Sequence, residues 1–430
     1  MFNTLNISIL IDYSTNLLIM ISKANKAVNA LIMSILQNNT AFVSLQKSRK
    51  RFIVNTFWLF LCVKGKINFL QLERFGTCCE QTYREQFKEA FDFCSFNTDL
   101  IKQVVSSDTI VAFDPSFIPK AGKSTYGGSR YWSGVAKSAK WGLDICGFAV
   151  VDVTKNTALH LKAWQTPPPP EIEGKEQTLL TYYASLVTDN ADKFLAFSTH
   201  MVADAYFSKK PVVDAVLSVK LNFISRLRDD SHLKYKYIGQ RTGLKGAPKK
   251  YTGRIDVKNL DIDYFSLDTS LENVKIYSAT VYSKAFKRDI KLAVAVFLKG
   301  DEEVARKLYF STDLALDGLK IVRYYRSRFQ IEFLYRDAKQ FTSLNTCQAR
   351  SKNQLEFHFN AALTAVNLAK YDWIKTKGEK DKAFSMSDYK TLYNNSLMIE
   401  QFISRFAINP HTVKNQKIIK ELLEYGKIAA

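Results

Sequence analysis

A succession of short apolar runs between residues 106 and 228 constrains this chain more than any other feature. Thr109–Phe113 (TIVAF) reads as a buried strand ending at Asp114. Cys146–Thr154 and Thr157–Trp164 read as a hairpin turned at Lys155 and Asn156. Thr166, four prolines and Glu171 form a stiff loop, with a helix over about 175–188 after it. Thr199–Asp204 is the next strand, about 209–219 a helix, and Leu221–Leu227 a further strand.

Three strands followed by alternating helix and strand, closed by a later helix carrying Glu332, is the order of a ribonuclease-H-like α/β core. The core is read as 106–228 and 314–375. Between them, 229–313 reads as a mostly β insertion subdomain, with period-two stretches at Val274–Tyr282, Ile290–Phe297 and Ala305–Ser311. Its entrance is basic: Arg226–Lys258 holds ten Lys or Arg against three Asp, interleaved with Tyr235, Tyr237 and Tyr251. Arg226, Arg241, Lys249, Lys250 and Arg254 are candidates there for gripping a nucleic-acid backbone, against the plainer reading of a solvated charge run. Residues 1–105 read as helical and DNA-binding, with a possible helix-turn-helix at 68–93 around Gly76, a pattern that ordinary helical bundles share. Residues 376–430 read as small helices around Asn409–Pro410.

The 430 residues carry a formal net charge of +20, which favours a polyanionic partner, nucleic acid before acidic membrane. The six cysteines form no C-x-x-C pair and the five histidines are scattered, so a zinc site is not expected. Reduced thiols fit a cytoplasmic protein. The apolar stretch Phe52–Val63 is too short to span a bilayer. The first twenty residues have neither a basic leading region nor a small-residue cleavage site, so no signal peptide is expected.

The chemistry concentrates in carboxylates. Asp114 and Asp204 each close a short apolar strand and are expected to emerge at one edge of a sheet. With Glu332 they make an all-oxygen set suited to two Mg²⁺, or Mn²⁺ in their place; without cations, three converging carboxylates would raise one another's pKa. Tyr325, Arg328, Glu332 and Lys339 are spaced Y-x2-R-x3-E-x6-K, which on one helix puts them within about 60° of a single face. Such a stripe suits phosphate and metal rather than a core: Arg328 can grip a phosphate bidentately, Lys339 adds a point charge and Tyr325 a hydrogen bond. The alternative for this helix is a surface salt bridge between Arg328 and Glu332. Lys120 and Lys123, in the loop after Asp114, are either auxiliary backbone contacts or solvated lysines.

Asp114, the second motif Val202-Ala-Asp204-Ala-Tyr-Phe-Ser208 and Tyr325/Arg328/Glu332/Lys339 resemble the DDE transposases of bacterial insertion sequences with the Y-R-E-K signature. The resemblance covers about residues 65–370. It implies a two-metal active site with Asp114, Asp204 and Glu332 as ligands, and Tyr325, Arg328 and Lys339 on the terminal phosphates of the element. It also implies cut-and-paste transposition, double-stranded DNA as element ends and target, and a synaptic homodimer. Some relatives pass through a DNA hairpin and stack a flipped base on a Trp of the insertion. Trp58, Trp132, Trp141, Trp164 and Trp373 all lie outside it here. Tyr309 is the available aromatic, either stacking a base or packing in the core. Rival readings are a nuclease of the same fold without strand transfer, and a silent DNA-binding protein derived from a transposase.

Overall fold

The computed structural model describes residues 23–174, 177–240, 247–271, 273–300, 302–377 and 383–428. The first twenty-two residues, on which the expectation of no signal peptide rests, and Arg241 lie outside them. Helices open the described chain: α1 (Lys23–Asn38), α2 (Lys47–Cys62), α3 (Phe69–Phe75), α4 (Glu80–Gln86) and α5 (Phe93–Lys102). The apolar run of α2 is core, with Phe52, Ile53, Phe57, Leu59, Phe60 and Leu61 buried. Asn68 caps α3 by accepting from the Gln71 N–H at 2.9 Å. The second helix of the helix-turn-helix expected over 68–93 is short, Glu80–Gln86. It ends at Gln86 because Phe87 turns inward onto Phe69 and Phe357, with ring centroids 5.3 and 4.3 Å away. The two cations of that segment, Arg84 and Lys88, are paired with Glu80 and Glu85.

The strands are β1 (Thr109–Pro119), β2 (Ser129–Ser133), β3 (Ser138–Asp152), β4 (Thr157–Gln165), β5 (His200–Val202) and β6 (Asn222–Leu227). They continue as β7 (Leu233–Lys236), β8 (Tyr251–Arg254), β9 (Ser266–Leu271), β10 (Val274–Ser283), β11 (Arg288–Lys299) and β12 (Glu302–Ser311). All twelve described strands belong to one mixed sheet, which runs β3-β1-β5-β6-β12-β11-β10-β7-β8, with β2 and β4 on β3 and β9 on β10. β1 is antiparallel to β3 and parallel to β5; β5 is parallel to β6. The stretch read as a separate β subdomain is therefore sheet continuous with the rest, joined where β12 pairs with β6 from Leu308↔Leu227 to Ser311↔Ile224. Apolar residues on both faces of β11 (Ile290, Leu292, Ala293, Val294, Ala295) explain why: such a strand must be covered on both sides.

Short helices α6 (Pro169–Glu173), α7 (Leu179–Asp189), α8 (Ala191–Leu195) and α9 (Lys210–Ser218) follow the central strands. Val111, Phe113, Phe148 and Met201 pack with Val187, Phe194, Val213 and Val216 from α7, α8 and α9 on one face. Ile110, Ala112, Val202 and Ile224 pack on the other, in one core with the N-terminal helices and with α10 (Gly318–Ser327), α11 (Gln330–Phe341), α12 (Lys352–Lys377) and α13 (Met386–Phe406). The helical N-terminal region thus shares its core with the β1–β6 half of the sheet. A last helix, α14 (Val413–Glu424), packs on α13.

The free edge of β4 is closed by side chains of α12 rather than by another strand. Asn367 accepts from the His160 N–H and donates to the His160 carbonyl, both at 2.7 Å. Asn360 does the same for Ala163 at 2.8 and 2.9 Å, and the buried Lys370 ammonium donates to the Ala158 carbonyl at 2.7 Å. Each amide reproduces the donor and acceptor of a strand residue, so a buried sheet edge is satisfied by a helix. Asn367→Leu leaves one N–H and one C=O buried without partners. It should lower the urea midpoint at unchanged m by an amount worth about 2–4 kcal/mol, read by equilibrium unfolding.

Candidate active site

Register places the two aspartates. In the parallel pairing of β1 with β5, Ala112 stands opposite Val202, and Asp114 and Asp204 each lie two residues further on. Successive strand residues alternate faces, so both carboxylates share the face of Ala112 and Val202, the one covered by α10 and α11. Asp114 does not end its strand. β1 runs on to Pro119 because β3 continues to pair with it, Asp114 opposite Gly147, while β5 has already stopped at Val202. Asp114 is therefore held by a neighbour on one side and opens to the cleft on the other. Asp204 is extended (φ −65°, ψ 162°) before a 3-10 turn that its side chain does not cap, leaving the carboxylate to the cleft.

The Tyr325–Lys339 stripe lies on two helices, not one. α10 stops at Ser327 and α11 starts at Gln330; between them Phe329 and Ile331 donate back three residues, to Arg326 and Arg328, which tightens the chain into a corner. Tyr325 closes α10, Arg328 sits at the corner, Glu332 occupies the first turn of α11 and Lys339 its last. Glu332 so lies at the positive end of a helix dipole, a favourable place for a carboxylate.

Arg328 is the hub. Its Nη2 donates to Glu332 Oε1 at 3.0 Å and its Nη1 stands 3.6 Å from Asp114 Oδ1, while its Nε is buried without a partner. Tyr325 donates its hydroxyl to Asp204 Oδ1 at 3.3 Å. Burial pushes the Asp114 carboxyl up to about 7; Arg328 opposes that, and Glu332 and Asp204 add to it. Burial works against the Arg328 charge, but Asp114, Tyr325, Asp204 and Glu332 outweigh it and hold the group above its ordinary value. Burial, with Asp204 beside it, raises the Tyr325 phenol to about 12.

Lys339 reaches a different target from its neighbours: it donates to Ser116 Oγ at 2.9 Å and the Phe117 carbonyl at 3.1 Å, fixing β1 beyond Asp114. Lys120 donates to the carbonyls of Cys347 and Ala349, so this half-buried ammonium ties down the loop before α12 rather than facing DNA. Lys123, Lys249, Lys250 and Arg254 are exposed and Arg226 is half-buried. β8, which carries Arg254, lies six strands from β5, roughly 29 Å at 4.8 Å per strand. Tyr309 is buried with its ring centroid 5.0 Å from that of Tyr325; it supports that side chain and offers no face to a base.

One residue absent from the motif supports the site, and a buried carboxyl lies behind it on the opposite face of the sheet. Buried Tyr335 donates its hydroxyl to the Asp114 carbonyl at 2.6 Å and crosses Gly147, where a Cβ would collide with that hydroxyl. It lies three residues after Glu332, a spacing that puts it beside the stripe. Asp144, on β3, accepts from Thr166 Oγ1 and the Tyr183 hydroxyl, both at 2.6 Å, and burial raises it to about 6. Nothing in its local sequence marks it.

Asp114, Asp204, Glu332, Arg328 and Tyr325 are thus gathered at one end of the parallel strands. Residues 183–368 match the transposase DDE domain. The match supports a transposase; it takes in Asp204 and the whole Tyr325–Lys339 stripe and begins after Asp114. No curated protein matches the chain.

Among the described residues, no three His, Cys, Asp or Glu side chains are gathered tightly enough to hold one ion. Arg328 stands between Asp114 and Glu332 where a cation would balance them. The donor chemistry still fits the divalent ion that the transposase match implies: carboxylate oxygens only, a raised Asp114, and a guanidinium whose Nε is orphaned in its present place.

The raised Asp114 has a measurable consequence. The folded protein keeps a proton there that the unfolded chain releases near pH 4, so this contribution to stability is complete below about pH 4 and lost as pH rises to about 7. Asp114→Asn removes the dependence. In chelator, urea unfolding should show the variant equal to wild type near pH 4 and more stable by roughly 2–4 kcal/mol near pH 8. Parallel stability profiles would contradict the assignment.

Proposed function

We propose that this protein is a DNA transposase of the DDE type that moves its own insertion sequence by cut-and-paste transposition in the bacterial cytoplasm, in a Mg²⁺-dependent reaction for which Mn²⁺ can substitute. The observation that carries the reading is the register match that sets Asp114 and Asp204 side by side under the corner holding Tyr325, Arg328 and Glu332. The strand directions β4-β3-β1-β5-β6, antiparallel then parallel, are those of a ribonuclease-H-like core and support it further.

Asp114, Asp204 and Glu332 would hold the metal, which supplies Lewis acidity for in-line phosphoryl transfer. The chain's own groups do the rest. Arg328, freed from Asp114 and Glu332, presents a planar fork to a phosphate of the element end. Tyr325 donates to a phosphate oxygen in place of Asp204 and is kept in position by Tyr309 behind it. Lys339 and Tyr335 do not need to touch DNA for their effect, since both fix the segment of β1 that aims Asp114. The terminal inverted repeats are assigned to the N-terminal region 1–105, and the DNA flanking the cut to the exposed cations Lys123, Lys249, Lys250 and Arg254. Two subunits would pair the two element ends.

The test is excision in cells from a plasmid carrying the gene's own flanking DNA, followed by sequencing of the rejoined and target junctions. Wild type should excise and join; Asp114→Ala, Asp204→Ala and Glu332→Ala should each lose activity by several orders of magnitude while still binding the ends. Cut ends without joined target would assign a nuclease instead. An active variant at any of the three positions would sink the reading.

A further inference from the structure

The β2–β3 hairpin carries groups that the cleft does not use. From Pro115 to Leu143 the sequence holds five cations and no Asp or Glu. Lys120 is engaged with backbone carbonyls, but Lys123, Arg130, Lys137 and Lys140 are all exposed. So are large apolar groups: Trp132 is 67% exposed, Trp141 41%, and Val135 at the tip 100%.

The hairpin has one held face and one offered face. Arg130 pairs with Trp141 and Trp132 with Ala139, so these four point to the same side. On the other side Tyr131 and Ser133 are buried, and the Tyr131 hydroxyl donates to the Gly127 carbonyl at 3.0 Å. Trp141 rests over Gly128, where an added Cβ would stand 3.0 Å from its ring. Trp132 is thus displayed on an anchored ribbon rather than on a loose loop. β3 also carries Gly147, the partner of Asp114. Trp141 and Ala139 precede it by six and eight residues, which places the two indoles about 20 and 26 Å from the cleft at 3.3 Å per residue. They lie toward the end of β1 at which Asp114 and Asp204 open.

We propose that this hairpin binds unpaired DNA beside the cut, with Trp132 and Trp141 stacked on bases and Arg130 and Lys137 along the phosphates. An all-cationic ribbon disfavours basic partners and matches a polyanion; exposed indoles add the sequence-tolerant base stacking that a duplex, with its bases already stacked, cannot offer. The inference rests on the DNA reading of the cleft.

The experiment titrates the full-length protein with a dT oligonucleotide, with a blunt duplex and with anionic lipid vesicles, following tryptophan fluorescence and anisotropy of a labelled DNA. Oligo-dT should quench wild type and Asp204→Ala alike. Trp132→Ala should weaken oligo-dT binding about tenfold with duplex binding kept, and Trp132→Phe should keep most of the affinity while losing most of the quench. Duplex binding with no dT-dependent quench would overturn the inference and leave the transposase reading standing. No binding of either DNA would defeat both. A fluorescence change with vesicles alone would assign the hairpin to a membrane surface and overturn the inference.

Discussion

Everything at the cleft depends on the short parallel pairing of β1 with β5. Only Val111↔Met201 and Ala112↔Val202 pair between these strands, yet that register alone puts Asp114 and Asp204 at the same height and on the same face. A slip of one residue would turn one carboxylate into the opposite core, among Phe113, Phe148 and Phe207. The register is itself fixed from both sides. β3 pairs along the whole of β1, from Thr109↔Asp152 to Pro119↔Gly142, and β5 is bound on its other edge by β6. Gly147 and Tyr335 then lock the height of Asp114 against α11.

The second constraint is charge. Three carboxylates and one guanidinium share a half-buried space, and the arrangement is held by Arg328 bridging Asp114 and Glu332. A bridge of this kind satisfies the site without binding energy from outside, but it leaves Arg328 Nε unpartnered and Asp114 with a raised pKa. Partly satisfied charge in a cleft is what an arriving cation and an arriving phosphate can both relieve, the first at the carboxylates and the second at the guanidinium.

Much of this was legible in the sequence, and what escaped did so for physical reasons. The apolar runs marked β1, β3 to β6 and α9, because strands buried on both faces must be apolar throughout. The Tyr325–Lys339 spacing marked its residues as neighbours. It could not reveal the corner at Arg328–Phe329, since both residues keep helical backbone angles and only the hydrogen bonds change. The extent of β1 past Asp114 was hidden because proline ordinarily interrupts a strand, whereas Pro115 and Pro119 both belong to β1. β7, β8 and β9 are four to six residues long and polar, too short for periodicity to register. Lys120 and Tyr309 each kept two readings because sequence gives residue type and not burial. The amides of Asn360 and Asn367, which close the sheet edge, read as ordinary polar residues on a helix.

The central claim is that Asp114, Asp204 and Glu332 hold divalent metal once Arg328 lets go. The most direct measurement is Mn²⁺ binding by electron paramagnetic resonance on the purified protein with its own flanking DNA, for wild type, Asp114→Asn, Asp204→Asn and Glu332→Gln. The account predicts tight Mn²⁺ binding by wild type, weakened at least tenfold in each variant. Binding of equal strength in all four proteins would contradict it.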